Sequence, residues 1–257
     1  MDYIFNASRP TIRISTSDGR NPTIPTDFIL PAIEHTHSVI EEISKFDVDI
    51  FSILGMRNLS AFVGEVFVTS CVKASNGMLV RNPHQDGYPD LLLMDKNGKS
   101  LFDSLKDALR DKSPFSPFKT GGIEVKATCG SVPTESILRK KNRTKPNVGE
   151  TRLDILKSYD WKAHHRETNN LFALLWDFVD GLPKIRAIFY SDLLVESDWC
   201  KIIEPKEGGG RTTSVSIMTR EGVSKLYQNW LLVEKNPKLL KFLDKYNKGK
   251  KFDGYCE

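Results

Sequence analysis

Asp90, Glu124 and Lys126 are the residues of this chain best suited to chemistry. Asp90 opens the apolar run Leu91-Leu92-Leu93-Met94 after Tyr88-Pro89. Glu124 and Lys126 lie inside Gly121-Gly122-Ile123-Glu124-Val125-Lys126-Ala127-Thr128. Side chains alternate across a strand, so Ile123, Val125 and Ala127 should share one face and Glu124, Lys126 and Thr128 the other. A strand anchored by its apolar face can hold an acid and an amine rigidly on the opposite one. If Asp90 stands on the neighbouring strand, the three converge, in a geometry that holds a divalent metal ion beside a water molecule.

The elements that must position them follow from periodicity. Residues 1–25 are polar and proline-dotted, which predicts an irregular arm. Phe28, Ile29, Ile33, Val39, Ile40 and Ile43 predict a helix from Thr26 to about Lys45. Asn58 to Ala74 reads as a second helix, capped by Asn58 or Ser60, with Phe62, Val63, Val66, Phe67, Ser70 and Cys71 as its stripe. Glu65 sits within it. Strands are predicted over 89–95 and 122–128, with a short helix from Ser100 to Asp111 between them. A long polar segment covers 129–152, and 152–167 reads as helical. Leu171–Val179 and Ile185–Tyr190 are apolar enough to be strands covered on both faces, joined by a turn at Val179-Asp-Gly-Leu-Pro183. Thr213–Met218 reads as a further strand. Thr219 caps a last helical region, broken near Pro237 and running to about Tyr246. The fold class is α/β, a mixed central sheet with helices on its faces.

Composition is that of an ordinary globular chain: 257 residues, 39% hydrophobic, 27% charged, formal net charge +4. No apolar run reaches the roughly 20 residues that span a bilayer, so no membrane partner is expected. The four cysteines are scattered without a Cys-x-x-Cys pair, which argues against a zinc cluster. With no signal peptide evident, they are expected to be reduced thiols in a cytoplasm. Gly208-Gly209-Gly210-Arg211 lacks the Gly-Lys-Ser/Thr of a phosphate-binding loop. Arg139-Lys140-Lys141-Asn142-Arg143-Thr144-Lys145 carries five cations in seven residues and is a candidate grip on phosphates.

The order of helix with Glu65, strand with Asp90 and strand with Glu124-x-Lys126 resembles the PD-(D/E)xK nuclease superfamily, over roughly residues 58–195; the family's core runs helix, strand, strand with the acid, strand with Glu-x-Lys, helix and strand. The size and basic character look most like a type II restriction endonuclease from a bacterial or archaeal cell. The 34-residue interval from Asp90 to Glu124 is long for the family, and the helix at Ser100 to Asp111 accounts for it as an insertion. Asp86 and Asp95 are alternative first acids.

The resemblance implies a restriction-endonuclease-like fold in one endonuclease domain. Its parts would be an N-terminal arm and helices (1–57), a catalytic core (58–195) and a C-terminal extension (196–257). It implies Mg²⁺ held by Asp90, Glu124 and the Val125 carbonyl. Lys126 would orient or deprotonate water, and Glu65 would bind a second metal or orient Lys126. The substrate would be double-stranded DNA, cut to 5′-phosphate ends by a homodimer, with the loop Gly130–Arg152 as reader of bases. Three rivals fit the same residues: a repair or recombination nuclease of the same fold, a non-catalytic DNA-binding protein, and an α/β protein whose Glu-x-Lys decorates a strand surface.

Overall fold

The computed structural model describes residues 1–157, 162–163, 170–205, 207–208, 214 and 216–246. Its centre is a seven-stranded sheet built from β1 (Tyr3–Phe5), β2 (Leu79–Arg81), β3 (Leu91–Leu93), β4 (Gly122–Thr128), β5 (Leu171–Val179), β6 (Leu182–Ser191) and β7 (Trp230–Glu234). The spatial order is β1-β7-β6-β5-β4-β3-β2. Only β4 and β5 run parallel; the other neighbours are antiparallel. The sheet is therefore mixed but mostly antiparallel. It draws strands from the N-terminal, central and C-terminal stretches alike.

Helices cover both faces. On one lie α1 (Ile29–Ile43) and α2 (Met56–Ala74). Ile33, Ile40, Val63 and Phe67 pack there with Leu91, Ile123, Val125, Phe172 and Trp176. The other helices are α3 (Lys96–Ser104), α4 (Glu135–Lys140), α5 (Arg220–Gln228) and α6 (Pro237–Tyr246). Leu226, Tyr227, Leu239 and Leu243 of the last two close the opposite face against Leu171, Ala173, Leu175 and Phe189. A smaller cluster of Leu92, Phe115 and Phe118 packs beside Leu101 and Phe102 of α3. Burial on both faces explains why β5 and β6 are continuous apolar runs. Their connection is a two-residue turn, Asp180 (φ 51°) and Gly181 (φ 80°). Positive φ at both positions matches the twist of the flanking strands.

Several expectations need correction. The N-terminal arm contributes three short strands, Tyr3–Phe5, Thr11–Arg13 and Thr23–Pro25. Three-residue strands carry too little alternation to be read. The second helix begins at Met56 behind Gly55, with no side-chain cap, so neither Asn58 nor Ser60 caps it. The inserted helix starts earlier, at Lys96, because Asp95 accepts a hydrogen bond from the Gly98 amide at 2.7 Å. Pro183 lies within β6 rather than in the turn.

The helix expected over 152–167 is absent from the described part. Leu153–Ile155 is a 3₁₀ turn and Lys162–Ala163 pairs with Ser216–Ile217. Residues 158–161 and 164–169 lie outside the described residues. The last helical region is two helices with β7 between them, because Trp230-Leu-Leu-Val is taken up between β6 and β1. Thr219 caps α5 as expected, accepting from the Gly222 amide at 3.1 Å.

Candidate active site

The site forms where two strands part. β3 and β4 pair at Leu91 with Ile123 and at Leu92 with Gly122. A Cβ on Gly122 would stand 1.9 Å from the Leu91 carbonyl oxygen, so only glycine lets the two backbones approach this closely. One residue further, the pairing stops. β4 continues alongside β5, with Glu124 opposite Leu171 and Lys126 opposite Ala173.

Side chains extend the ladder into the notch. The Val125 amide, which has no β3 residue opposite it, donates to Asp90 Oδ2 at 2.8 Å. The Asp90 amide donates to Glu124 Oε2 at 3.2 Å. Glu124 Oε1 forms an ion pair with Lys126 Nζ. The three residues singled out by type and spacing are thus brought together. The expected alternation holds: Ile123 and Val125 enter the large core, while Glu124 and Lys126 share the other face. Glu124 is only 4% exposed, so the strand face is no solvated decoration.

Two carboxyl groups this close, Glu124 buried and Asp90 half-buried, resist ionising together. Burial, and next the charge of Glu124, push the Asp90 carboxyl up to about 7; Lys126 and the Val125 amide pull it back only in part. Burial alone would lower the Lys126 amine, but Glu124 and Asp90 outweigh it and the net shift is upward. Lys126 is therefore held as an ammonium, which suits orienting and charge-balancing roles better than that of a base.

The donor set suits a hard dication. Asp90 and Glu124 offer carboxylate oxygens with lone pairs to spare. The Val125 carbonyl leaves its strand on the same edge as the amide that reaches Asp90. A dication would offset the burial and the Glu124 charge that together push the Asp90 carboxyl up, and water would complete its shell. Among the described residues no group of three or more His, Cys, Asp or Glu side chains is gathered for a metal, so the protein side chains offered here are these two acids.

The alternative first acids are elsewhere. Asp95 caps α3 and pairs with Arg20 at 2.6 Å. Asp86 is exposed on the loop before Asp90. Glu65 is at the rim. Its helix crosses β4 so that a Cβ on Gly64 would meet Ala127 Cβ at 3.8 Å. Glu65 adds negative potential at both Asp90 and Lys126, but its carboxylate pairs with Arg81 of β2. Sequence reasoning missed Arg81. The signal was the short apolar run Leu79-Val80 before it, which marks a strand beside Asp90.

The five cations Arg139, Lys140, Lys141, Arg143 and Lys145 are all exposed, on α4 and the turn after it. Asp177 of β5 ties down the far end of this segment. It accepts from Thr151 Oγ1 at 2.6 Å, from the Arg152 amide at 3.0 Å and from the Leu153 amide at 3.2 Å. A cavity of about 680 Å³ opens at the other end of the sheet, beside the β5–β6 turn, and is lined in part by Arg186, Glu234 and Lys238. Buried Arg186 is engaged there by Glu234 and Asp177, and none of Asp90, Glu124 and Lys126 lines the cavity. Comparison with protein-family models, curated proteins and solved structures finds no match for this chain. Among the described residues, no helix is long and apolar enough to cross a membrane.

Proposed function

We propose that this protein is a Mg²⁺-dependent endonuclease of the restriction type, hydrolysing phosphodiester bonds in double-stranded DNA. The observation that carries the reading is the junction of Asp90, Glu124 and Lys126 where β3 and β4 part. With α3 set aside as an insertion between β3 and β4, the order α2, β2, β3, β4, α4, β5 is also the order that the PD-(D/E)xK resemblance implies.

Asp90, Glu124 and the Val125 carbonyl would hold the ion. When bound, Mg²⁺ would supply charge stabilisation at the phosphoryl oxygens and acidify a water. Lys126, kept as an ammonium, orients the attacking water and offsets the phosphate charge. Glu65, shared with Arg81, sets the potential at the rim. The run Arg139–Lys145 grips backbone phosphates. A homodimer would match the two-fold symmetry of a palindromic site.

The test is plasmid DNA incubated with the protein in Mg²⁺, in Ca²⁺ and in chelator. Discrete fragments with 5′-phosphate ends are expected in Mg²⁺ alone. Glu124→Ala and Lys126→Ala should each lower cutting by at least ~100-fold while leaving binding of the cognate duplex in Ca²⁺ intact. A smear of products would instead indicate a nuclease without sequence preference. Metal-indifferent binding without cutting would indicate a DNA-binding protein.

A further inference from the structure

We infer that Asn82 is the positioning residue for Asp90, a role that deepens and rests on the endonuclease reading. Asn82 follows β2 directly and is 6% exposed. Its backbone amide donates to the Asp90 carbonyl at 2.9 Å. Its side-chain Nδ2 donates to the Pro89 carbonyl at 2.9 Å and to the Phe115 carbonyl at 2.9 Å. Its Oδ1 accepts from the His84 amide at 3.0 Å. One residue thus holds the two consecutive carbonyls that flank the Asp90 Cα, and anchors them to the loop at Phe115.

The chemistry of these contacts is specific to asparagine. Two carbonyls need donors and one amide needs an acceptor, and a primary amide supplies both from adjacent atoms. Aspartate has the same shape but cannot donate, and would set a negative oxygen against two carbonyl oxygens. The loop is shaped to the amide: a Cβ on Gly87 would stand 2.4 Å from Asn82 Oδ1. The pairing of β3 with β4 ends at Leu91, so in the ladder Asp90 is held only from the β2 side, where the ladder ends on the Asn82 amide and the Asn82 side chain adds the Pro89 carbonyl. With its main chain held, the Asp90 carboxyl is aimed at the Val125 amide and the Asp90 amide at the Glu124 carboxylate.

The experiment compares wild type, Asn82→Asp and Asn82→Ser, with Asp90→Asn as the metal-site control. A structural control is Asp198→Asn, a buried group that accepts from the Val195 amide and pairs with Lys225, remote from Asp90 in sequence. Three quantities are read: the rise in melting temperature with Ca²⁺, the Mg²⁺ concentration for half-maximal cutting, and duplex affinity in Ca²⁺. Asn82→Asp should shift half-maximal Mg²⁺ upward by about 10- to 100-fold, as loss of a partner behind a metal ligand does. Its Ca²⁺-induced rise in melting temperature should shrink, with duplex affinity at saturating Ca²⁺ within about twofold of wild type.

Asn82→Ser keeps one donor and should fall between wild type and Asn82→Asp; it carries the test if Asn82→Asp does not fold. Asp198→Asn should lower the melting temperature without moving the Mg²⁺ requirement. An unchanged Mg²⁺ requirement and an unchanged Ca²⁺ effect in a folded Asn82 variant would overturn the proposal. If wild type cuts no DNA but Asn82→Asp still loses the Ca²⁺ effect, the positioning role stands and the nuclease reading falls.

Discussion

Asp90 carries a proton that its position makes costly to lose. In the unfolded chain its carboxyl ionises near the ordinary value of 3.8, whereas in the fold it is pushed to about 7, first by burial and then by Glu124. Between those two values the folded protein holds a proton that the unfolded chain has released. Stability contributed by this group therefore falls as pH rises from about 4 to about 7, and does not return above that. Asp90→Asn cannot ionise and should escape the loss. In chelator it should melt higher than wild type at pH 8, with the advantage fading towards pH 4. A variant that melts lower than wild type at pH 8 would contradict the assignment. A dication should reverse the ranking at pH 8, because it stabilises only the ionised form. This much of the site was legible from residue types and from the two-residue spacing of Glu124 and Lys126. The role of Asn82 was not, because it depends on carbonyls at 89, 90 and 115 that only the folded chain assembles.

On the proposed function, the segment bearing α4 is the element on which DNA contact would depend. Its five cations are exposed, and their pairings are weak: Arg139 meets Glu135 at 3.4 Å and Arg143 meets the Asp154 carbonyl at 3.4 Å. Each phosphate neutralised adds about 0.9 to the slope of log affinity against log salt. Replacing Arg139, Lys140, Lys141, Arg143 and Lys145 together by glutamine should weaken duplex binding in Ca²⁺ and flatten that slope by roughly 2 to 4. The Ca²⁺ effect on melting should be unchanged. Fluorescence anisotropy across a salt series measures both, and an unaltered slope would place the DNA elsewhere. Elements with a long period read well from sequence: α1, α2 and α5, and the hairpin β5–β6 with its Asp-Gly turn. Those read poorly derive their state from a partner. β1 exists because Trp230–Glu234 offers it an edge, and β7 because it lies between β1 and β6. Local pattern cannot distinguish such a strand from a helical segment.

At the scale of the molecule, the α/β class with helices on both faces was legible, because continuous apolar strands demand cover. The antiparallel bias was not, since strand direction is decided by which distant segments meet. One junction in the sheet carries a kinetic consequence. β4 and β5 are neighbours that run the same way, so the chain between Thr128 and Leu171 must leave the sheet and return before they can pair. The β5–β6 hairpin closes across two residues. Closure of short loops is fast and long-range pairing is slow. On refolding from denaturant, amide protection in β5 and β6 should precede protection at Glu124 and Lys126. Competence to respond to Ca²⁺ should appear with the later phase. Simultaneous protection of both regions would show that the sheet condenses in one step. If the phases separate, a nascent chain passes through a folded stage in which the carboxylate pair is not yet assembled, and the cutting capacity proposed for it would be acquired last.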